Sequence, residues 1–221
     1  QKRSFDIDPT YILKVMALIK GTREEAEDEE VRPSCSKKDL KRLYKKYKNC
    51  SRNEFLHDWE CACSFIEEAI MDMQFRYGVV TKKYVPYYPM IVTIAAIKWW
   101  YKKEQKASAC YKDTMQEKID RWYWGSIFNQ EYDSHTDETI SIHYQALRKW
   151  VQPRPHKKIP EEINFRKRFN KRVILERIDD IDSAGDARYK AILCMPMAGD
   201  RKAKDILSDI FLEAKPEKLQ D

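Results

Sequence analysis

Apolar positions along this chain recur at spacings of three and four, one face of an α-helix, with no sustained alternation of the kind strands need. Tyr11, Ile12, Val15, Met16, Leu18 and Ile19 form the first such face. Asp8-Pro9 supplies a cap and a proline suited to the first helical position, and Gly21 ends the run. Ser36 with Asp39 reads as a capping-box start for a helix to about Lys48, with Leu40, Leu43, Tyr44 and Tyr47 on its apolar side. Ser51 with Glu54 opens the longest predicted helix, which runs to about Tyr77 and is closed by Gly78. Its stripe is Phe55, Trp59, Ala62, Cys63, Ile66, Ile70 and Met73.

The region 79–85 reads as a short extended link, and Pro86 and Pro89 bracket the next start. Met90 to Tyr101 is apolar nearly all round, as a central buried helix must be. Thr114 with Glu117 caps a predicted helix to about Asn129, with Met115, Ile119, Trp122 and Ser126 in register. Ser134 with Asp137 caps another, carrying Ile140, Tyr144, Leu147 and Val151. Pro153, Pro155 and Pro160 stiffen a basic linker. Three shorter helices are expected at 161–170, 187–195 and 202–213. The pattern therefore predicts an all-α bundle of about eight helices with little or no sheet. Its expected organisation is a main bundle over 1–152, a linker over 153–160, C-terminal helices over 161–214 packing on the same domain, and a mobile tail over 215–221.

Composition sharpens this picture. A hydrophobic share of 43% supports a core, and five glycines are few for a turn-rich β fold. The charged share of 35% is above the usual level of about 25% and implies a dense ionic surface. The net charge of +6 permits nucleic-acid binding without requiring it. The longest apolar run, Met90 to Ile97, is far short of the roughly 20 residues that cross a bilayer, so no membrane contact is expected. There is no signal peptide at the start, and the six cysteines are widely spread, so they read as reduced thiols in a cytoplasmic protein. The start at Gln1 and the stop at Asp221 read as those of an excised domain.

Candidate chemistry is sparse. Cys35, Cys50, His57, Cys61 and Cys63 are metal-ligand types, but the paired C-x-x-C knuckles of structural zinc sites are missing, so no metal is assigned. None of the four histidines (His57, His135, His143, His156) lies in a nucleophile–base motif, and no phosphate-binding glycine loop or G-x-S-x-G occurs. No catalytic residue and no cofactor is therefore assigned. Two basic clusters remain. Lys37 to Lys48 holds seven basic residues in twelve, including Lys37, Lys41, Lys45 and Lys48. Arg166, Lys167, Arg168, Lys171 and Arg172 form the second, beside the basic linker. Such faces bind phosphate by counterion release. They also serve as ordinary solvated surfaces, and both readings stay open.

The densest aromatic block, Arg121-Trp122-Tyr123-Trp124, is either a core seam or a recognition surface. Trp122 fits the apolar face of its helix. Tyr123 and Trp124 lie off that face, and packing against a neighbouring helix is favoured over stacking on a base. The whole segment R-W-Y-W-G-S-I-F…E-Y-D-S-H-T-D-E-T…L-R-K-W resembles the helical region of the GmrSD-type modification-dependent (type IV) restriction endonucleases. Phe5-Asp6-Ile7-Asp8 with Tyr11-Ile12-Leu13-Lys14 is similar to the start of that region, and Val85-Pro86-Tyr87-Tyr88-Pro89-Met90-Ile91 resembles its helix entry. Residues 187–193 with Gly199-Asp200 and Lys204-Asp205 resemble its closing element. The family's nucleotidase motif D-G-Q-Q-R and its nuclease motif H-H-I-F-P are both absent here. The resemblance thus implies the middle helical part, joining a nucleotide-dependent sensor to an HNH nuclease. Its implied partners are those two domains of the same polypeptide and DNA, with homo-oligomerisation left open.

Overall fold

The computed structural model describes residues 5, 7–20, 33–104, 110–152, 158–165, 179–181 and 183–198. Among them the protein is all-α, with seven α-helices and no strand. The helices are α1 (Pro9–Lys20), α2 (Lys37–Lys48), α3 (Arg52–Met71), α4 (Met90–Glu104), α5 (Cys110–Phe128), α6 (Thr136–Val151) and α7 (Ala187–Cys194). A π-helical turn (Asp72–Arg76) continues α3, and 3-10 turns occupy Lys82–Tyr84, Glu161–Ile163 and Met195–Met197. No helix among the described residues is long and apolar enough to cross a membrane.

The hydropathy pattern explains the layout. In α4 only Lys98 escapes burial between Met90 and Tyr101, so the helix has no solvent face and lies at the centre, packed by α1, α3 and α6. Its two tryptophans point to different neighbours, as adjacent residues on a helix must. Trp99 stacks on Phe65 of α3 at 6.0 Å, and Trp100 lies under the Arg148 guanidinium of α6 at 5.2 Å. α5 packs instead on α6 and on the helix at 187–194, and all its residues from Trp122 to Phe128 are buried.

Ion pairs fix the helices in register at the margins of the core. Lys20 at the end of α1 reaches Asp58 of α3 at 2.7 Å, and the Tyr47 hydroxyl of α2 donates to the same carboxylate at 2.6 Å. Asp58 is buried, at a position the apolar stripe of α3 would give to a hydrophobe. Two partners on two other helices satisfy it, as a buried charge requires. Lys14 of α1 reaches Asp137 of α6 at 2.6 Å, and Lys98 of α4 pairs with Asp72.

Several local expectations are corrected. The Ser134–Asp137 cap does not form: the N-cap of α6 is His135, in the left-handed region at φ 48°, without a side-chain hydrogen bond. The Asp137 carboxylate points to Lys14 instead. The continuous helix expected to Tyr77 changes to the π turn, while Gly78 closes it as expected. After Pro160 the helix expected over 161–170 is a single 3-10 turn at Glu161–Ile163, and 166–170 lies outside the described residues. The linker at 153–157, the helix expected at 202–213 and the tail at 215–221 also lie outside them.

Candidate nucleic-acid interface

Helix α2 carries the first basic cluster, and its sequence explains why the helix forms at the edge of the bundle. Ser36 and Asp39 make a full capping box, with the Ser36 side chain accepting the Asp39 N–H and Asp39 accepting the Ser36 N–H at 3.1 Å. Burial alone would raise the Asp39 carboxyl, but hydrogen bonds from Ser36 and Ser34 and the nearby Arg42 hold it below its ordinary range. At the other end, Lys46 Nζ donates to the Lys20 carbonyl at 3.0 Å and joins α2 to the end of α1. Only Leu43 is fully buried in α2, with Leu40 and Tyr47 half-buried beside it.

This narrow buried stripe leaves a wide outer arc. Lys37, Lys38, Lys41, Arg42, Lys45 and Lys48 are all exposed. Arg42 pairs with Asp39 at 3.3 Å. Among the described residues, Lys37, Lys41, Lys45 and Lys48 meet no carboxylate. All four sequence-predicted residues of this cluster thus share one solvent-facing surface. The second cluster, Arg166, Arg168, Lys171 and Arg172, lies outside the described residues.

One member of this surface escaped the sequence reading. Tyr44, expected on the apolar side of α2, is 70% exposed. A peripheral helix buries only the stripe centred on Leu43 and Tyr47, and Tyr44 falls past its margin. The signal was present in the spacing. Lys37, Lys41, Tyr44 and Lys48 stand at i, i+4, i+7 and i+11, which is one straight stripe of a helix.

The aromatic block of α5 is interior. Trp122, Tyr123 and Trp124 are each buried. Trp122 Nε1–H donates to His143 Nδ1 at 3.1 Å, which makes Nδ1 the unprotonated nitrogen of that ring. The Tyr132 hydroxyl lies 3.3 Å from the same nitrogen and 3.2 Å from the Thr93 hydroxyl, so Trp122, His143, Tyr132 and Thr93 form one polar chain. Tyr123 stacks face to face on Tyr77 at 3.8 Å, and Trp124 packs edge-on against both rings. Gly125 follows because Phe165 occupies the space a Cβ would need, with ring carbon Cδ2 at 2.3 Å from that position. None of these rings is available to a base.

The two buried thiols, Cys35 and Cys194, are not poised for nucleophilic chemistry. Burial pushes Cys35 and Cys194 up to about 11, so both are protonated near neutral pH. Cys35 sits against Ser141 of α6, whereas His57 and Cys61 share the outer side of α3 with Sγ and Nε2 3.8 Å apart. Among the described residues no group of three or more His, Cys, Asp or Glu side chains could hold a metal ion.

No family model matches the chain. A protein of Methanocaldococcus jannaschii described only as uncharacterized is 23% identical over 150 residues, covering 63% of this chain and 23% of that protein. The chain therefore spans less than a quarter of that relative's length. No solved structure matches.

Proposed function

We propose that this chain is the helical domain of a modification-dependent DNA restriction endonuclease, linking a nucleotide-dependent sensor domain to an HNH nuclease and contacting DNA phosphate through α2. The observation that carries the DNA contact is the outer arc of α2, with Lys37, Lys38, Lys41, Lys45 and Lys48 exposed on one side of a capped helix. Lys37 and Lys38 stand in the first turn, at the positive end of the helix dipole, where each cation costs about 0.3–1 kcal/mol. Stability alone would place acids there, whereas phosphate binding gives those cations a use. The wider restriction context rests on the sequence resemblance of the aromatic segment, whose residues build the core and so set the scaffold rather than the chemistry.

A second reading, a protein-interaction or oligomerisation scaffold without nucleic-acid contact, is favoured by one specific feature. The π turn leaves Phe75 71% exposed beside Met71, while Val80 and Met197 are also exposed near the Gly78 closure. Reversing charge at Lys41, Lys45 and Lys48 to glutamate separates the two. The DNA reading expects affinity for duplex DNA to collapse with the oligomeric state unchanged by analytical ultracentrifugation. Unchanged DNA affinity with altered self-association supports the scaffold instead.

A further inference from the structure

We propose that the α2 surface is a site for unpaired nucleotides, with Tyr44 as a stacking platform for one base between lysines that hold the flanking phosphates. The inference rests on the nucleic-acid reading above and specifies its ligand.

The geometry is a stripe rather than a patch. Lys37, Lys41, Tyr44 and Lys48 lie along one line of the helix, all exposed. At about 1.5 Å rise per residue, Lys37 and Lys48 are roughly 16 Å apart along the axis, and Tyr44 lies between Lys41 and Lys48. Lys45 flanks the stripe on one side, and on the other the surface falls away to the half-buried Leu40. A strand laid along α2 therefore meets cations on both sides of a single exposed ring.

Chemistry selects unpaired over paired nucleotides. In a duplex the base faces are already stacked, and a tyrosine ring standing off a helix gains nothing from them. In an unpaired strand each base offers a free π face, and aromatic rings set in a basic track are the usual way proteins hold it. Lysines alone would neutralise duplex phosphates equally well, so the lysines set affinity while Tyr44 sets the preference. The position is also structurally undemanding. Tyr44 makes none of the ring contacts that hold α2 in place; Tyr47 makes those, packing edge-on against Phe55 at 5.2 Å.

Fluorescence anisotropy with the 221-residue chain tests this, using labelled oligothymidine and a hairpin duplex of equal nucleotide count at low salt. Wild type is expected to bind the single strand several-fold more tightly. Tyr44→Ala is expected to weaken single-strand binding by about 5- to 150-fold, the range for losing one base–aromatic stack, and to weaken duplex binding far less. Tyr44→Phe is expected to retain the preference. Circular dichroism confirms folding of each variant. Equal affinity of wild type for the two ligands overturns the inference, as does a Tyr44→Ala effect that is absent or equal on both. Those results leave the phosphate-binding reading standing if Lys41→Glu still weakens binding. Binding of neither ligand overturns both, and binding of a polyglutamate peptide to the same lysines in place of either nucleic acid assigns the stripe to an acidic protein partner and overturns both as well.

Discussion

Trp122→Ala is expected to lower folding stability by about 3–5 kcal/mol, the range for emptying a large aromatic site in a core. Two effects add. The ring is 1% exposed and packs edge-on against Tyr132 and His143 at 6.4 and 6.0 Å, so its removal leaves a cavity bordered by rings that cannot collapse freely. Its Nε1–H also donates to His143 Nδ1, but the Tyr132 hydroxyl lies 3.3 Å from the same nitrogen, so the lost donor adds less than the cavity within that range. Trp122→Phe weighs the two, because it loses the donor and only the smaller part of the apolar volume. The shift in urea midpoint should be large for alanine and about a third as large for phenylalanine. A shift below about 1 kcal/mol for alanine would mean that the α5–α6 seam is not a packed core.

Gly78→Ala should be nearly as damaging although it adds a single carbon. Gly78 has φ +73°, the left-handed region that a side chain disfavours, and a Cβ there would lie 2.2 Å from the Cys194 carbonyl oxygen and 2.6 Å from the Ala198 nitrogen. These are backbone atoms, so no rotamer change relieves the clash. Conformational strain and overpacking each cost about 1–3 kcal/mol, for a combined loss of about 2–6 kcal/mol. The damage should be local first. The end of α7 and the Met195–Met197 turn should lose amide-exchange protection before α4 does. Gly185→Ala is the control, because its Cβ would meet only the Ser183 Oγ at 3.4 Å, and a change within about 0.5 kcal/mol is expected. Equal effects at the two glycines would contradict the packing of residues 194–198 on Gly78.

The residues that announce the fold are those whose burial is decided by helical spacing alone. The all-apolar run of α4, the register of Trp122 in α5 and of Ile140, Tyr144, Leu147 and Val151 in α6 are all interior as the spacing required. The capping residues Ser36 and Ser51 likewise declared their helices, because a cap is a contact within four residues. What spacing could not supply depended on a partner distant in sequence. Asp58 looks like a surface acid until Lys20 and Tyr47 arrive from two other helices. The cap expected from Asp137 was diverted by Lys14, more than a hundred residues away. Tyr123 and Trp124 gained their places only once Tyr77 folded back onto α5. Of the candidate site, the lysines of α2 were readable because a basic helix face is periodic. Tyr44 was misplaced because the width of the buried stripe depends on how far α2 sits from the centre of the bundle.

The proposed contact between α2 and nucleic-acid phosphate has one most direct measurement, the affinity of the 221-residue chain for DNA across a salt series. If Lys37, Lys41, Lys45 and Lys48 each neutralise a phosphate, log affinity should fall linearly with log salt, with a slope of about −3 to −4. Each reversed lysine should remove about one unit from that slope. Absence of binding at low salt, or binding whose salt slope is unchanged by charge reversal at Lys41, Lys45 and Lys48, would contradict the account.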